Sequence, residues 1–246
     1  MRKAFVFLLT LIALVSCSKE ENVVEVVLDE SIIPEDAENV SLRPTFGFGS
    51  VYGGLRTTYT IYCDTLSTPE QQVASSSEIF NIMSDESVLL KPSTKYYWYC
   101  KAEKDGKVFP TGVYSFTTID TATIRNNSWN SRYVLTLPDY EEQRAQDYYS
   151  YDLPADSCYI YSEPVSFTVS DNAVTDAYRY GDYNRELSTE GTFDFNLDEV
   201  TILEWKYEFI NFGVEYFAAN NNNANKIVLV LKQPHSGDVV VFEKNE

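Results

Sequence analysis

The sequence predicts an all-β fold, and three observations carry that prediction. Tyr and Phe number 19 and 14 among the 246 residues, and such side chains suit the half-buried face of a pleated sheet better than a helix. Apolar and polar residues alternate with a period of two through most of the chain, which sends successive side chains to opposite faces of a strand. Turn pairs at Asp105-Gly106, Asp171-Asn172 and Gly237-Asp238 separate the alternating runs. A hydrophobic share of 44% supports packed cores. The one helix candidate is Asp139 to Tyr148, where Asp139 and Glu142 approximate a capping box.

The chain opens on a positive segment, Met1-Arg2-Lys3, followed by an apolar run from Ala4 to Val15 interrupted only by Thr10. That run has the length of a signal-peptide core and is too short to span a bilayer. Leu14-Val15-Ser16-Cys17 then resembles the lipobox of bacterial lipoproteins. The resemblance implies that residues 1–16 are removed as a signal peptide and that Cys17 carries a diacylglycerol on its thiol. Further acylation of its amine, with palmitate-type chains, gives an anchor that one chain alone would not hold stably. Ser18-Lys19-Glu20-Glu21 resembles the acidic tag that directs some lipoproteins to the exterior of the outer membrane. Residues 17–22 are then a lipidated tether, and a strand pattern starts at Val23.

The formal charge is −18, and it becomes more negative if Arg2 and Lys3 leave with the signal. A surface of that sign repels phosphate backbones, whose binding needs Lys and Arg to release counterions, and it repels anionic headgroups. Nucleic acid is therefore excluded as a partner, and the expected contact with the membrane is the lipid anchor alone. The plain reading of the acidity is solubility.

Residues 23–118 form the first domain. In Leu89 to Ala102, Tyr96, Trp98, Cys100 and Ala102 alternate onto one face, and Tyr97, Tyr99 and Lys101 onto the other. Leu90, Pro92, Thr94 and Tyr96 resemble the L-x-P-x-T-x-Y signature of fibronectin type III domains. Tyr59 to Asp64 resembles the family's central strand, and Val113 to Thr118 its closing strand. The resemblance implies a β-sandwich in which the Tyr96 phenol bonds back to the backbone a few residues upstream. It places Ile61 and Cys63 inward beside Trp98 and Cys100, so Cys63 and Cys100 either join as a disulfide or stand as two buried thiols. The implied role is a spacer.

A polar stretch, residues 119–127, separates this domain from residues 128–246. Eight strand patterns follow: Trp129–Leu137, Val165–Val169, Ala173–Tyr180, Thr189–Asn196, Glu199–Trp205, Tyr207–Phe217, Lys226–Lys232 and Asp238–Lys244. Eight antiparallel strands with mostly short turns predict an up-and-down barrel, with a two-sheet sandwich as competitor. Trp129, Val165–Thr168, Gly191–Asn196 and Ile227–Lys232 resemble the pattern of bacterial lipocalin-like domains. Asn127 stands where that family has Gly, two residues before the Trp. The resemblance implies a cup for an apolar or glycan ligand. The fold class expected is thus all-β: a fibronectin type III-like sandwich, then an antiparallel eight-stranded lipocalin-like barrel.

Catalytic and metal-binding patterns are missing from the sequence. His235 is the lone His and sits in a turn, which leaves no His-based triad or multi-His zinc set. Cys158 reads as a buried strand thiol. With 37 acidic residues, neighbouring carboxylates alone do not mark a hydrolase. The candidate ligand-binding residues are Tyr148, Tyr149 and Tyr151, before the second strand of this domain, and Tyr178, Tyr180 and Tyr183, around YRYGDYN. A phenol offers a flat apolar face and a hydroxyl, suited to sugar rings or a protein surface. Ordinary strand packing is the plainer role for them. The Asn tract 220–225 and Glu190 are further candidates for hydrogen bonding a polar ligand.

These readings converge on a non-enzymatic outer-membrane surface lipoprotein that binds a glycan or other nutrient and needs no cofactor. The alternatives are a structural or adhesion lipoprotein that binds another protein, and a lipocalin-type carrier of a small apolar ligand. The anchor is directly testable. Cys17→Ala is expected to leave the membrane fraction and to carry no lipid by mass spectrometry; a variant that still fractionates with membranes overturns the lipobox reading.

Overall fold

The computed structural model describes residues 26–28, 33–50, 57–77, 81–83, 88–135, 164–179, 187–203, 205–215, 226–233 and 236–245. The helix candidate at Asp139 to Tyr148 lies outside them, as do Cys17, Cys158 and His235. The described chain is all-β, with a closed eight-stranded antiparallel barrel and further strands outside the ring.

Among the described residues, nine strands precede the barrel: β1 (Val26–Leu28), β2 (Ala37–Val40), β3 (Thr45–Ser50), β4 (Thr58–Asp64), β5 (Gln72–Ser76), β6 (Asn81–Met83), β7 (Lys95–Lys104), β8 (Lys107–Pro110) and β9 (Tyr114–Thr118). They form two layers. One runs β2-β9-β7-β4-β5 with β8 on β7, and the other β1-β3-β6. The alternation read from the sequence decides which side chains meet between them. Tyr59, Ile61 and Cys63 of β4 and Tyr96, Trp98, Cys100 and Ala102 of β7 are all buried in one cluster with Phe46 of β3. The Phe46 ring lies 5.0 Å from that of Trp98. The Asp105-Gly106 pair makes the β7–β8 turn, with φ of 50° and 75°, values that Gly and Asp tolerate best.

The Tyr96 hydroxyl accepts a hydrogen bond from the Lys91 backbone N–H at 2.9 Å, the corner bond expected from the sequence. Thr94 bonds the Pro92 carbonyl at 2.8 Å, and Thr118 of β9 donates to the Lys91 carbonyl at 2.6 Å. These bonds tie the approach to β7 onto β9.

The barrel strands are β10 (Asn127–Leu135), β11 (Pro164–Ser170), β12 (Ala173–Arg179), β13 (Leu187–Phe195), β14 (Glu199–Leu203), β15 (Trp205–Glu215), β16 (Lys226–Lys232) and β17 (Val239–Lys244). All eight expected strands are present, most with ends moved by one or two residues. Each pairs antiparallel with its sequence neighbour, and β10 pairs with β17 to close the ring. The interior is filled by Trp129, Phe167, Val174, Phe193, Ile202, Tyr207, Phe212, Leu229, Leu231, Val240 and Phe242. Trp129, Phe212, Leu229, Leu231, Val240 and Phe242 have 0% exposure, so no water-sized void lies against them. Val228, Val230, Val239 and Val241, on the opposite face of β16 and β17, are buried as well, which explains why these two strands read as apolar runs.

Residues 119–127 are packed rather than open. Asp120 caps a 3-10 turn at Thr121–Ile124 by accepting from the Ala122 N–H. Ile119 and Ile124 are fully buried in the barrel cluster together with Leu42 from the first unit. The Trp129 indole N–H donates to the Ile124 carbonyl at 3.1 Å. This end of the ring is therefore plugged by the segment that enters it.

The two units meet along a backbone seam. Val40 pairs in parallel with Val214 of β15, and the Leu42 N–H donates to the Phe212 carbonyl at 2.9 Å. Asn211, fully buried, accepts the Arg43 N–H at 2.9 Å. Gly213, at φ 137°, passes directly beside the chain of the first unit. A Cβ there would lie 2.7 Å from the Ser41 backbone N and closer still to the Ser41 Cα. Only glycine combines that φ with that approach. Gly213→Ala is expected to lose more than about 1 kcal/mol in urea unfolding. Gly112→Ala, whose Cβ would sit 3.9 Å from the nearest Tyr114 atoms, serves as the near-neutral control.

Candidate functional site

The direction of each strand fixes which connections share an end of the barrel. β10, β12, β14 and β16 start, and β11, β13, β15 and β17 finish, at the end plugged by Ile119, Ile124 and Leu42. The first unit is seamed to β15 near that same end. The opposite end collects the finish of β10, the start of β11, the finish of β12 and the start of β13. Those strand ends flank residues 136–163 and 180–186. Five of the six candidate residues, Tyr148, Tyr149, Tyr151, Tyr180 and Tyr183, belong to those segments and lie outside the described residues. Tyr178 belongs to β12, paired with Ser166 of β11, and its side chain is likewise outside what is described. The two tyrosine groups are far apart in the chain, and the described strand ends that flank the segments holding them lie at one end of the barrel. The strand ends flanking residues 216–225, which hold the Asn tract, face the plugged end instead.

Cys63 and Cys100 are both buried, and both are free thiols. Cys63 stands opposite Trp98, and Cys100 opposite Ile61. The two are diagonal neighbours on the inner face, not a directly facing pair. Diagonal positions are about 7–8 Å apart, beyond the Cα spacing that an unstrained disulfide accepts. Burial, with a smaller contribution from Asp64, pushes the Cys63 thiol well up. Burial pushes Cys100 up to about 12, against an ordinary value of 9.0. Folding thus favours the neutral thiols. Their contribution to stability is complete below the ordinary thiol range and is lost as pH rises from there toward the folded-state value.

A cleft of about 500 Å³ lies at the rim of the plugged end, lined by Asn127, Asn130, Lys226, Ile227, Glu243, Lys244 and Asn245. Most of its polar groups are satisfied by one another. Lys226 and Glu243 pair at 3.0 Å. Asn130 donates to the Asn245 side chain, and the Asn127 amide donates to the Thr123 and Arg125 carbonyls. Among the described residues, no group of three or more His, Cys, Asp or Glu is placed to hold a metal.

A further aromatic group lies outside the candidates that the sequence singles out. Tyr62 of β4 and Tyr97 and Tyr99 of β7 lie on the outer face of the first unit, all partly exposed. Tyr62 stands directly opposite Tyr99, and their rings stack at 5.0 Å and 8°. Burial, aided by the neighbouring Tyr62, pushes the Tyr99 phenol up. The alternation in Leu89 to Ala102 marks Tyr97 and Tyr99 as outward, but only the β4–β7 register brings Tyr62 beside them.

No family model, curated protein or solved structure matches the chain. Intact mass is expected to be the same with and without reductant; a rise of about two daltons on reduction would reveal a bridge and a local shift of β4 against β7.

Proposed function

We propose that this chain is a lipid-anchored, non-enzymatic lipoprotein of the outer-membrane surface, whose barrel captures a glycan at the end remote from the anchor. One observation carries the reading. The strand ends flanking both tyrosine-bearing segments face away from the first unit, and the first unit follows the expected anchor at Cys17. In this reading residues 23–118 are a fibronectin type III-like module, supported by the Tyr96 corner bond and the two facing layers. Residues 128–246 are a lipocalin-like barrel, supported by the closed ring and by Trp129 at its plugged end. The seam at Val40 to Arg43 makes the first unit a rigid mast.

The carrier reading is less favoured, because the inward side chains near the plug leave no water-sized space against them. A protein partner in place of a glycan would use the same remote end.

A thermal-shift series on soluble Ser18–Glu246 tests the proposal, with neutral and acidic polysaccharides, fatty acids and haem-like compounds. A binder at a hundredfold excess over its Kd stabilises the folded state by about 2.7 kcal/mol, a rise of several degrees. One glycan class is expected to give that rise, and Tyr178→Ala with Tyr180→Ala to remove most of it. A rise with apolar compounds alone makes the chain a carrier, and unchanged glycan binding in the double variant removes the tyrosines from the site.

A further inference from the structure

We propose that the outer face of β4 and β7 is a second, separate binding platform, built on Tyr62, Tyr97 and Tyr99, for a neutral oligosaccharide. The proposal concerns the first unit and does not rest on the barrel end.

The sheet geometry places these rings together. The inner positions of β4 and β7 are committed to the core by Tyr59, Ile61, Cys63, Tyr96, Trp98, Cys100 and Ala102. The period of two then sends Tyr62, Tyr97 and Tyr99 to the outer face. Tyr62 faces Tyr99 across the strands, and Asp64 faces Tyr97, so the three tyrosines occupy adjacent positions of one surface. Partly exposed aromatic residues on the barrel strands, Phe195 and Trp205, pack against its core, and many fully exposed positions there are polar, as at Asn130, Asp176, Thr192, Asp194, Lys206 and Glu208. Three partly exposed aromatic rings in one place leave apolar surface in water that the inner core does not use.

The charges around the rings select the ligand. Lys95 pairs with Asp36 at 3.0 Å and lies 5.6 Å from the Tyr97 ring centre. Lys101 is 3.9 Å from Glu103. The Asp64 carboxylate accepts backbone N–H groups from Leu66, Glu70 and Gln71 at 2.6, 2.6 and 3.1 Å. These ions stay exposed but are paired with one another or with backbone groups, and beside them the outer face offers phenol rings, their hydroxyls and the polar side chains of Thr60 and Gln72. Among the described residues, none of the three hydroxyls has a protein hydrogen-bond partner. A sugar presents the matching chemistry, a C–H face for an aromatic ring and hydroxyls that both donate and accept. The stacked pair is held in place before binding, so little side-chain entropy is lost on contact. A nucleic acid would also stack, but the charge of −18 opposes its backbone.

Affinity electrophoresis of Ser18–Glu246 through gels holding a β-glucan, a xylan or a galactomannan tests the platform. At least one of these polysaccharides is expected to retard the chain, and Tyr178→Ala with Tyr180→Ala to leave part of that retardation. Tyr97→Thr with Tyr99→Thr is expected to weaken the remaining binding at least tenfold, with near-ultraviolet circular dichroism still reporting a folded protein. Tyr62→Phe, Tyr97→Phe and Tyr99→Phe together keep the rings, remove the hydroxyls and are expected to weaken binding several-fold, which keeps the test open if the threonine variant does not fold. The proposal is overturned if none of the three polysaccharides retards the chain, or if a folded platform variant binds as the parent does. Complete loss of binding in the barrel-end variant alone overturns the platform and leaves the barrel reading standing; complete loss in the platform variant alone does the reverse.

Discussion

The arrangement of the molecule depends on one close backbone approach, where Ser41 to Arg43 lies against the second half of β15. The seam is built from main-chain hydrogen bonds, which are short, directional and insensitive to salt in a way that ion pairs on an acidic surface are not. Its polar centre is Asn211, at 0% exposure. A buried amide is costly unless it is partnered, and here the side-chain carbonyl accepts from the Arg43 and Phe212 N–H groups, each at 2.9 Å. The amide thus occupies backbone donors that a continuous strand ladder would have served. Gly213 supplies the space, Asn211 the bonding, and Leu42 carries an apolar side chain of the first unit into the barrel cluster.

Most of the strand content is legible in the sequence because its cause is local. Alternation at Tyr96, Trp98, Cys100 and Ala102 states an inner and an outer face without reference to a partner strand, and Asp105-Gly106 states a turn. The seam has no such signature. Phe209 to Val214 reads as one more alternating strand, yet β15 shifts register between Phe209 and Asn211, and the bulge changes which residues point inward beyond it. Phe209 and Phe212 both join the barrel cluster, although they are three apart and strict alternation would divide them. A tertiary contact with a segment some 170 residues earlier decides this, and no window of sequence contains both sides of it. The β14–β15 corner is similar: the expected break was between Trp205 and Tyr207, whereas Leu203 takes a φ of 62° and the strands pair again at Ile202 and Trp205.

The candidate sites differ in legibility for the same reason. Tyr178, Tyr180 and Tyr183 stand out because they are close together in the chain. Tyr62 and Tyr99 are 37 positions apart, and their stack exists only through the β4–β7 register. Tyr96 and Tyr97 are adjacent in sequence yet fall on opposite faces, one bonded into the core and one on the surface. Tyrosine count alone cannot separate such roles.

Charge and aromatic surface act over different distances in the proposed reading, and the difference yields selectivity. A net charge of −18 repels polyanions while they are still about a Debye length away, about 8–10 Å at physiological salt. Within contact range the ions bordering the tyrosines of β4 and β7 are engaged with one another or with backbone groups. The two Lys–carboxylate pairs carry no net charge and so attract a charged ligand little, while Asp64 keeps its negative charge and adds to the repulsion of anions. Ring stacking and hydroxyl bonding then remain as the attractive terms, and neither needs a charged ligand. Long-range repulsion removes the anionic polymers and short-range stacking retains neutral ones. A chain whose two units are seamed rigidly at β15 would offer the sandwich face and the remote barrel end at a fixed spacing. Two weak contacts held in that way bind a repeating polymer more tightly than either alone, provided the polymer can reach both at once.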